Sequence, residues 1–271
     1  MPHLLSNGLK IHFEQHGSGT PLILLHGFGQ HGGSWDPLVP SFARFFKVIV
    51  PDLRGCGRSE AAEPGFTVAD MASDIVALMD EIGLARAHVA GWSQGGTVAL
   101  ELGLRSADRL ISLSLHSTYA GGRDRYQSNW IDMRRRIIAS GDRDLDFTTR
   151  IIGFFTPEFI NARPDRIEEF RRLESSNRYP PTPKGMAGQV GAAQQFEARD
   201  RIAAIRTPTL ITVGSADRTT LPAQSRLMHA AIKGAEFWLF ENAGHLPQFQ
   251  FPDEFMSISL GFMLKHERDG S

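Results

Sequence analysis

The chain holds one cysteine, Cys56, so it can close no internal disulfide and build no thiolate metal cluster. It also lacks an excess of charge. The 29 lysines and arginines stand against 30 aspartates and glutamates, a formal net charge of −1, and no electrostatic argument points to nucleic acid or to an anionic membrane. No run approaches the roughly 18 consecutive apolar residues of a spanning helix. The first residues, Met1 to Gly8, lack a basic stretch followed by an apolar one, so a cytoplasmic protein with no membrane partner is expected. Histidine and carboxylate spacing of the zinc type is missing too, as are cofactor motifs, and the chain is expected to use neither metal nor cofactor. What remains is 271 residues, 41% hydrophobic, enough for one large α/β domain with a sizeable core.

The most informative segment is Gly91-Trp92-Ser93-Gln94-Gly95, placed where the apolar run His88-Val89-Ala90 gives way to a helix beginning near Gln94. A G-x-S-x-G between strand and helix is a nucleophile elbow: a sharp, strained turn that carries the serine hydroxyl at its tip. Glycines flank it because the two backbones pass too closely for a Cβ. A serine hydroxyl is a weak nucleophile at neutral pH, so this reading requires a base, an acid to orient it, and donors for an oxyanion.

Elbow serines are followed along the chain by the acid and then the histidine. His245 lies in Glu241-Asn242-Ala243-Gly244-His245-Leu246-Pro247, just after the strand-like Glu236 to Phe240, and is the candidate base. Asp217 follows the β-branched run Thr209 to Val213 and is the candidate acid, although an aspartate there also suits the N-cap of a helix beginning near Leu221-Pro222. Asp124 is the nearest substitute. The oxyanion donors are expected to be the backbone N–H groups of Gln94 and of Phe28, the latter in the His26-Gly27-Phe28-Gly29 loop after the strand Leu22 to Leu25. His26 reads as a structural histidine that braces this loop.

Strands alternate with helices, the pattern of a largely parallel sheet covered on both faces. Thr67 to Ile82 has helical spacing, with Val68, Met71, Ile75, Leu78, Met79 and Ile82 on one side. Asp52, Arg54 and Arg58 read as a structural loop. The rhythm breaks from Tyr119 to Arg206, where no strong strand occurs, and a structureless loop of that length is implausible. Residues 131 to 138, 147 to 155 and 167 to 173 have helical spacing, interrupted by Gly141-Asp142, Pro157, Pro164 and the Pro180-Pro181-Thr182-Pro183 turn. This is read as a helical cap, 119–206, inserted into a core made of 1–118 and 207–271. Of its aromatics, Trp130 and Phe154 are expected to join Trp92 and Leu246 as substrate contacts, while most of the rest pack. Arg134-Arg135-Arg136 read as a solvated face.

Four features in order, His26 to Gly29, Pro51 to Ser59, the Ser93 elbow and the Asp217 and His245 loops, make the chain resemble the α/β-hydrolase superfamily. The resemblance implies a mostly parallel, eight-stranded twisted sheet with helices on both faces and an inserted cap. Within that group it is most similar to small, lidded, cofactor-free carboxylesterases, enol-lactonases and carbon–carbon bond hydrolases. The expected activity is hydrolysis of a carboxylic ester or lactone of a small, partly apolar molecule through a covalent acyl-enzyme, by a monomer or homodimer. Cleavage of a carbon–carbon bond beside a ketone, or ligand binding without turnover on the same fold, are the alternatives.

Overall fold

The computed structural model describes residues 3–6, 8–61, 63, 65–121 and 125–267; Asp124, the substitute acid, lies outside them. Among the described residues eight strands form one sheet: β1 (His3–Ser6), β2 (Leu9–His16), β3 (Thr20–Leu25), β4 (Phe46–Pro51), β5 (Ala87–Trp92), β6 (Leu110–His116), β7 (Thr209–Gly214) and β8 (Glu236–Phe240). Their order is β1-β2-β4-β3-β5-β6-β7-β8. From β4 to β8 all neighbours are parallel, while β2 pairs antiparallel with both β1 and β4. The mostly parallel, eight-stranded expectation therefore holds.

Successive strand residues face opposite sides, so each strand feeds two cores. Ile23, Leu25, Ile49, Val89, Leu113 and Ile211 pack on one side, with Met71, Ile75 and Leu78 of the helix Val68–Glu81. Leu22, Leu24, Val48, Val50, Ala90 and Leu210 pack on the other, with Trp35, Phe42, Phe255 and Phe262. A short helix α1 (Val39–Phe42) precedes α2 (Val68–Glu81), which starts at a reciprocal capping box between Thr67 and Asp70. Helix α3 (Gln94–Arg105) begins directly after Ser93 and is buried from Gln94 to Gly103.

Between β6 and β7 the described residues form five α-helices: α4 (Arg125–Ser140), α5 (Arg143–Phe154), α6 (Pro157–Ala162), α7 (Pro164–Ser175) and α8 (Pro183–Gln195). The segment leaves and returns at one place, where Gly121 bridges Glu197 and the Ala198 N–H donates to the Ala120 carbonyl at 2.7 Å. The prolines punctuate it differently from the sequence reading. Pro157, Pro164 and Pro183 do not merely break helices but open α6, α7 and α8 near N1, where no N–H is needed. Helix α8 went unread because its glycines and alanines carry almost no apolar period. Arg134 is a further correction. It is buried, not solvated, and its guanidinium pairs with Asp146 at 2.6 Å, while Arg135 and Arg136 do face outward and pair with Asp132. Helices α9 (Pro222–Ala231), α10 (Pro247–Gln250) and α11 (Pro252–Glu267) complete the chain, and among the described residues no helix is long and apolar enough to cross a membrane.

The loops at the carboxyl ends of β3 and β4 are tied by buried polar groups. The Leu53 N–H donates to His26 Nε2 at 2.9 Å, which places the ring proton on Nδ1, from where it is donated to the Gly27 carbonyl at 2.9 Å. Asp52 accepts from the Gly32 and Arg58 N–H groups, and Arg54 grips Asp74 through two bonds of 2.6 and 2.7 Å. Burial pushes His26 down to about 4, and His88 and His116 down to about 4 and about 3. The unfolded chain therefore takes up protons before the native one does. Stability contributed by these neutral rings is complete above the ordinary imidazole value and is lost as pH falls from about 6.5 toward 4, by up to about 1.4 kcal/mol per pH unit for each ring. Urea unfolding at pH 7.5, 6.0 and 5.0 should show that decline. His116→Gln should make it shallower, and an unchanged slope would show that His116 is not one of the rings responsible.

Candidate active site

Ser93 directly follows β5 with φ 55° and ψ −118°, a conformation that L side chains rarely adopt. Its surroundings hold it there. The Ser93 N–H donates to the His116 carbonyl at 2.9 Å, and the Thr118 hydroxyl donates to the Ser93 carbonyl at 2.6 Å. A Cβ on Gly91 would overlap the Gly95 carbonyl, and one on Gly95 would overlap the carbonyls of Leu25 and His26. Serine at a helix N-cap ordinarily folds its oxygen back onto a backbone N–H. Ser93 makes no such bond, so its hydroxyl is left for other work at the amino end of α3.

Asp217 and His245 come from the loops after β7 and β8. His245 Nδ1 lies 2.8 Å from Asp217 Oδ2, with both side chains essentially buried. Asp217 Oδ1 accepts from the N–H groups of Thr219 and Thr220 at 2.8 and 3.0 Å, and Oδ2 accepts from the Thr220 hydroxyl at 3.0 Å. The carboxylate thus binds its own turn and holds the imidazole as well; it does not cap the helix that follows (Pro222–Ala231), whose N-cap is Leu221 with no side-chain bond. Surrounded by donors, it is the acceptor for a proton on His245 Nδ1, and the lone pair falls on Nε2. The imidazole is fixed from behind: its backbone N–H donates to the Phe154 carbonyl at 2.8 Å, and its carbonyl accepts from the Trp92 indole at 3.1 Å.

Ser93, His245, Phe28, Gln94, Trp92, Trp130 and Phe154 line one small cavity of about 30 Å³, room for little more than a water. Asp217 sits behind His245, and Leu246 lines an adjoining cavity of about 250 Å³ that also reaches Trp92 and Phe154. Sequence reasoning missed Arg134 and Arg150, which line the Ser93 cavity and also a third one of about 480 Å³. Burial drives the Arg134 guanidinium below its ordinary value, against the pull of Asp146. The other expected packing aromatics do pack: Phe155 stacks on Phe159 and meets Phe170 and Phe249 edge-on. Cys56 is buried and pushed up to about 12, away from nucleophilic use.

Comparison with known proteins agrees with this fold. Residues 20–252 match the alpha/beta hydrolase fold family. The chain is 28% identical to a putative carbamate hydrolase RutD of Azorhizobium caulinodans over 262 residues, 97% of this chain and 98% of that one. It is 27% identical to 3-oxoadipate enol-lactonase 1 of Acinetobacter baylyi over 242 residues, 89% and 88% of the two chains. Among solved structures, a thermophilic esterase from Thermogutta terrifontis superposes with a TM-score of 0.82 at 29% identity, covering 95% of this chain and 94% of that one.

The close approaches at the turn yield a direct check. In Gly95→Ala the new methyl meets backbone on two sides that no side-chain motion relieves, so denaturant unfolding should show a loss of about 3 kcal/mol or more, the upper range of overpacking. Gly261→Ala in α11, where a Cβ meets nothing within 4 Å, is the control and should be neutral or stabilising. Equal stability of the two variants would refute the steric account of the turn.

Proposed function

The chain belongs to the alpha/beta hydrolase fold family, and from that premise we propose that it is a serine hydrolase of carboxylic esters or lactones of small organic molecules. One observation carries the reading. A serine held at positive φ, whose hydroxyl caps nothing, shares a small cavity with a histidine that a buried aspartate orients. In this mechanism Ser93 Oγ bonds to the substrate carbonyl carbon as its proton passes to His245 Nε2. Asp217 stabilises the imidazolium. The negative oxygen is received by the N–H groups of Gln94 and Phe28, with the amino end of α3 adding its dipole. Collapse expels the alkoxide, which leaves as the alcohol with the proton from His245, and a water activated by the same ring then releases the acid. Ester and water are consumed, acid and alcohol formed.

Residues 119–206 serve as a lid over the carboxyl ends of the strands, separate in role from a core of 1–118 and 207–271. Trp130 and Phe154 close the cavity above Ser93, and Trp92 with Leu246 offers the adjoining apolar volume to the uncharged part of a substrate. Relatives named for lactone and ester hydrolysis support the ester and lactone class.

A phosphonate probe should label Ser93 stoichiometrically, and short esters should turn over many times. Ser93→Ala and His245→Ala should each lower kcat by about 10³–10⁶ without loss of folding, with the double variant scarcely worse than either. Asp217→Asn should lose about 10⁴, since the amide favours the wrong tautomer. Strictly additive losses, or binding of esters without turnover, would overturn the reading.

A further inference from the structure

Arg134 and Arg150 are buried at the meeting of the Ser93 cavity with the 480 Å³ cavity, and both line each of the two. Their ion-pair partners are disposed unequally. Asp146 bonds Arg134 at 2.6 Å and Arg150 at 3.1 Å, and Glu174 pairs with Arg150. Both carboxylates line the larger cavity, and neither lines the one at Ser93. Among the described residues, the lining of the Ser93 cavity therefore includes two arginines and no acid. Arg150 Nε, moreover, is buried without a hydrogen-bond partner. A buried donor left unmatched costs about 1–3 kcal/mol, more when charged, so its persistence at a cavity wall calls for an acceptor that arrives from outside.

We propose that the substrate carries a carboxylate, received by Arg150 with Arg134 beside it, while its ester or lactone carbonyl lies at Ser93. The proposal rests on the hydrolase reading and names its substrate class. A planar carboxylate suits the guanidinium fork, and in a desolvated site a charge-assisted pair discriminates strongly against a neutral analogue. Asp146 and Glu174 hold the guanidinium groups in place, and neither carboxylate lines the cavity at the nucleophile.

The test compares isosteric pairs on the purified full chain. One pair puts the acid in the acyl part, methyl hydrogen glutarate against its primary amide. The other puts it in the leaving group, 4-carboxyphenyl against 4-carbamoylphenyl butanoate. The acid should be preferred in kcat/KM by about tenfold or more in at least one pair, as expected of a charge-assisted hydrogen bond. Arg150→Gln should bring that ratio toward one. If Arg150→Gln does not fold, Glu174→Gln takes its place, and the ratio should rise because an outer anion is gone. Preference for the amide or none in both pairs, or variants that leave the ratio unmoved, overturns the proposal. Calorimetry with glutarate and glutaramide reads the same site without turnover. Tighter glutarate binding in a chain that hydrolyses nothing keeps the acid site and removes the hydrolase reading; equal binding removes the acid site.

Discussion

The positive φ at Ser93 is the constraint around which the molecule is arranged. A non-glycine residue in that region costs of order 1–3 kcal/mol and persists only where neighbours over-determine it. Here they come from three strands. β5 delivers the residue, the His116 carbonyl at the end of β6 takes its N–H, and the carbonyls of Leu25 and His26 after β3 stand where only a glycine at 95 can pass. Parallel order makes this possible, because β3, β5 and β6 are neighbours and all end on the same side. The sheet topology and the position of one hydroxyl are thus a single fact.

From that turn, support spreads outward through backbone groups more than through side chains. Trp92 donates to the His245 carbonyl, and its ring fills the space that a Cβ on Gly27 would need, so the ends of β3, β5 and β8 are packed against one another. Thr219 and Thr220 fasten Asp217 through their N–H groups. Groups placed this way need little reorganisation during a reaction, and such preorganisation is a large part of what a protein can contribute to acyl transfer.

The fold and the core of the candidate site were legible because their signals are local. Gly91 and Gly95 announce a close approach, β-branched runs announce strands, and the chain order of Ser93, Asp217 and His245 needs no contact map. The inserted helices were legible only in part. Helix α8 has glycine at 185, 188 and 191 and little apolar period, and it forms because Gly185 and Gly188 allow it to approach Gly55 and Phe66. That is a tertiary cause with no local mark. Arg134 and Arg150 did leave a mark that was not read. Arg150 follows Phe147 by three and precedes Phe154 by four, and Arg134 follows Ile131 by three, so each arginine lies on the buried face of its helix. A cation on an apolar stripe is the pattern to seek; three arginines in a row concealed it by resembling a surface.

The placement of Arg150 also bears on how an entering molecule could reach Ser93. Helix α5 is bound at its carboxyl end to the loops that hold the imidazole and its carboxylate. The Phe154 carbonyl accepts the His245 N–H, the Gly153 carbonyl accepts the Thr219 hydroxyl, and Gly244 packs too tightly on Phe154 to admit a Cβ. An outward swing of α5 would break these bonds and displace His245 with it. Arg150 sits one turn back on the same helix, so its distance from the base is fixed by a rigid element instead of by closure. The same 480 Å³ cavity is also lined by Gly141 and Asp142, between α4 and α5, and by Pro180 and Pro181, ahead of α8. Under the proposed chemistry, an acid entering there meets Arg134 and Arg150 before its carbonyl meets Ser93, so charge is sorted ahead of reaction.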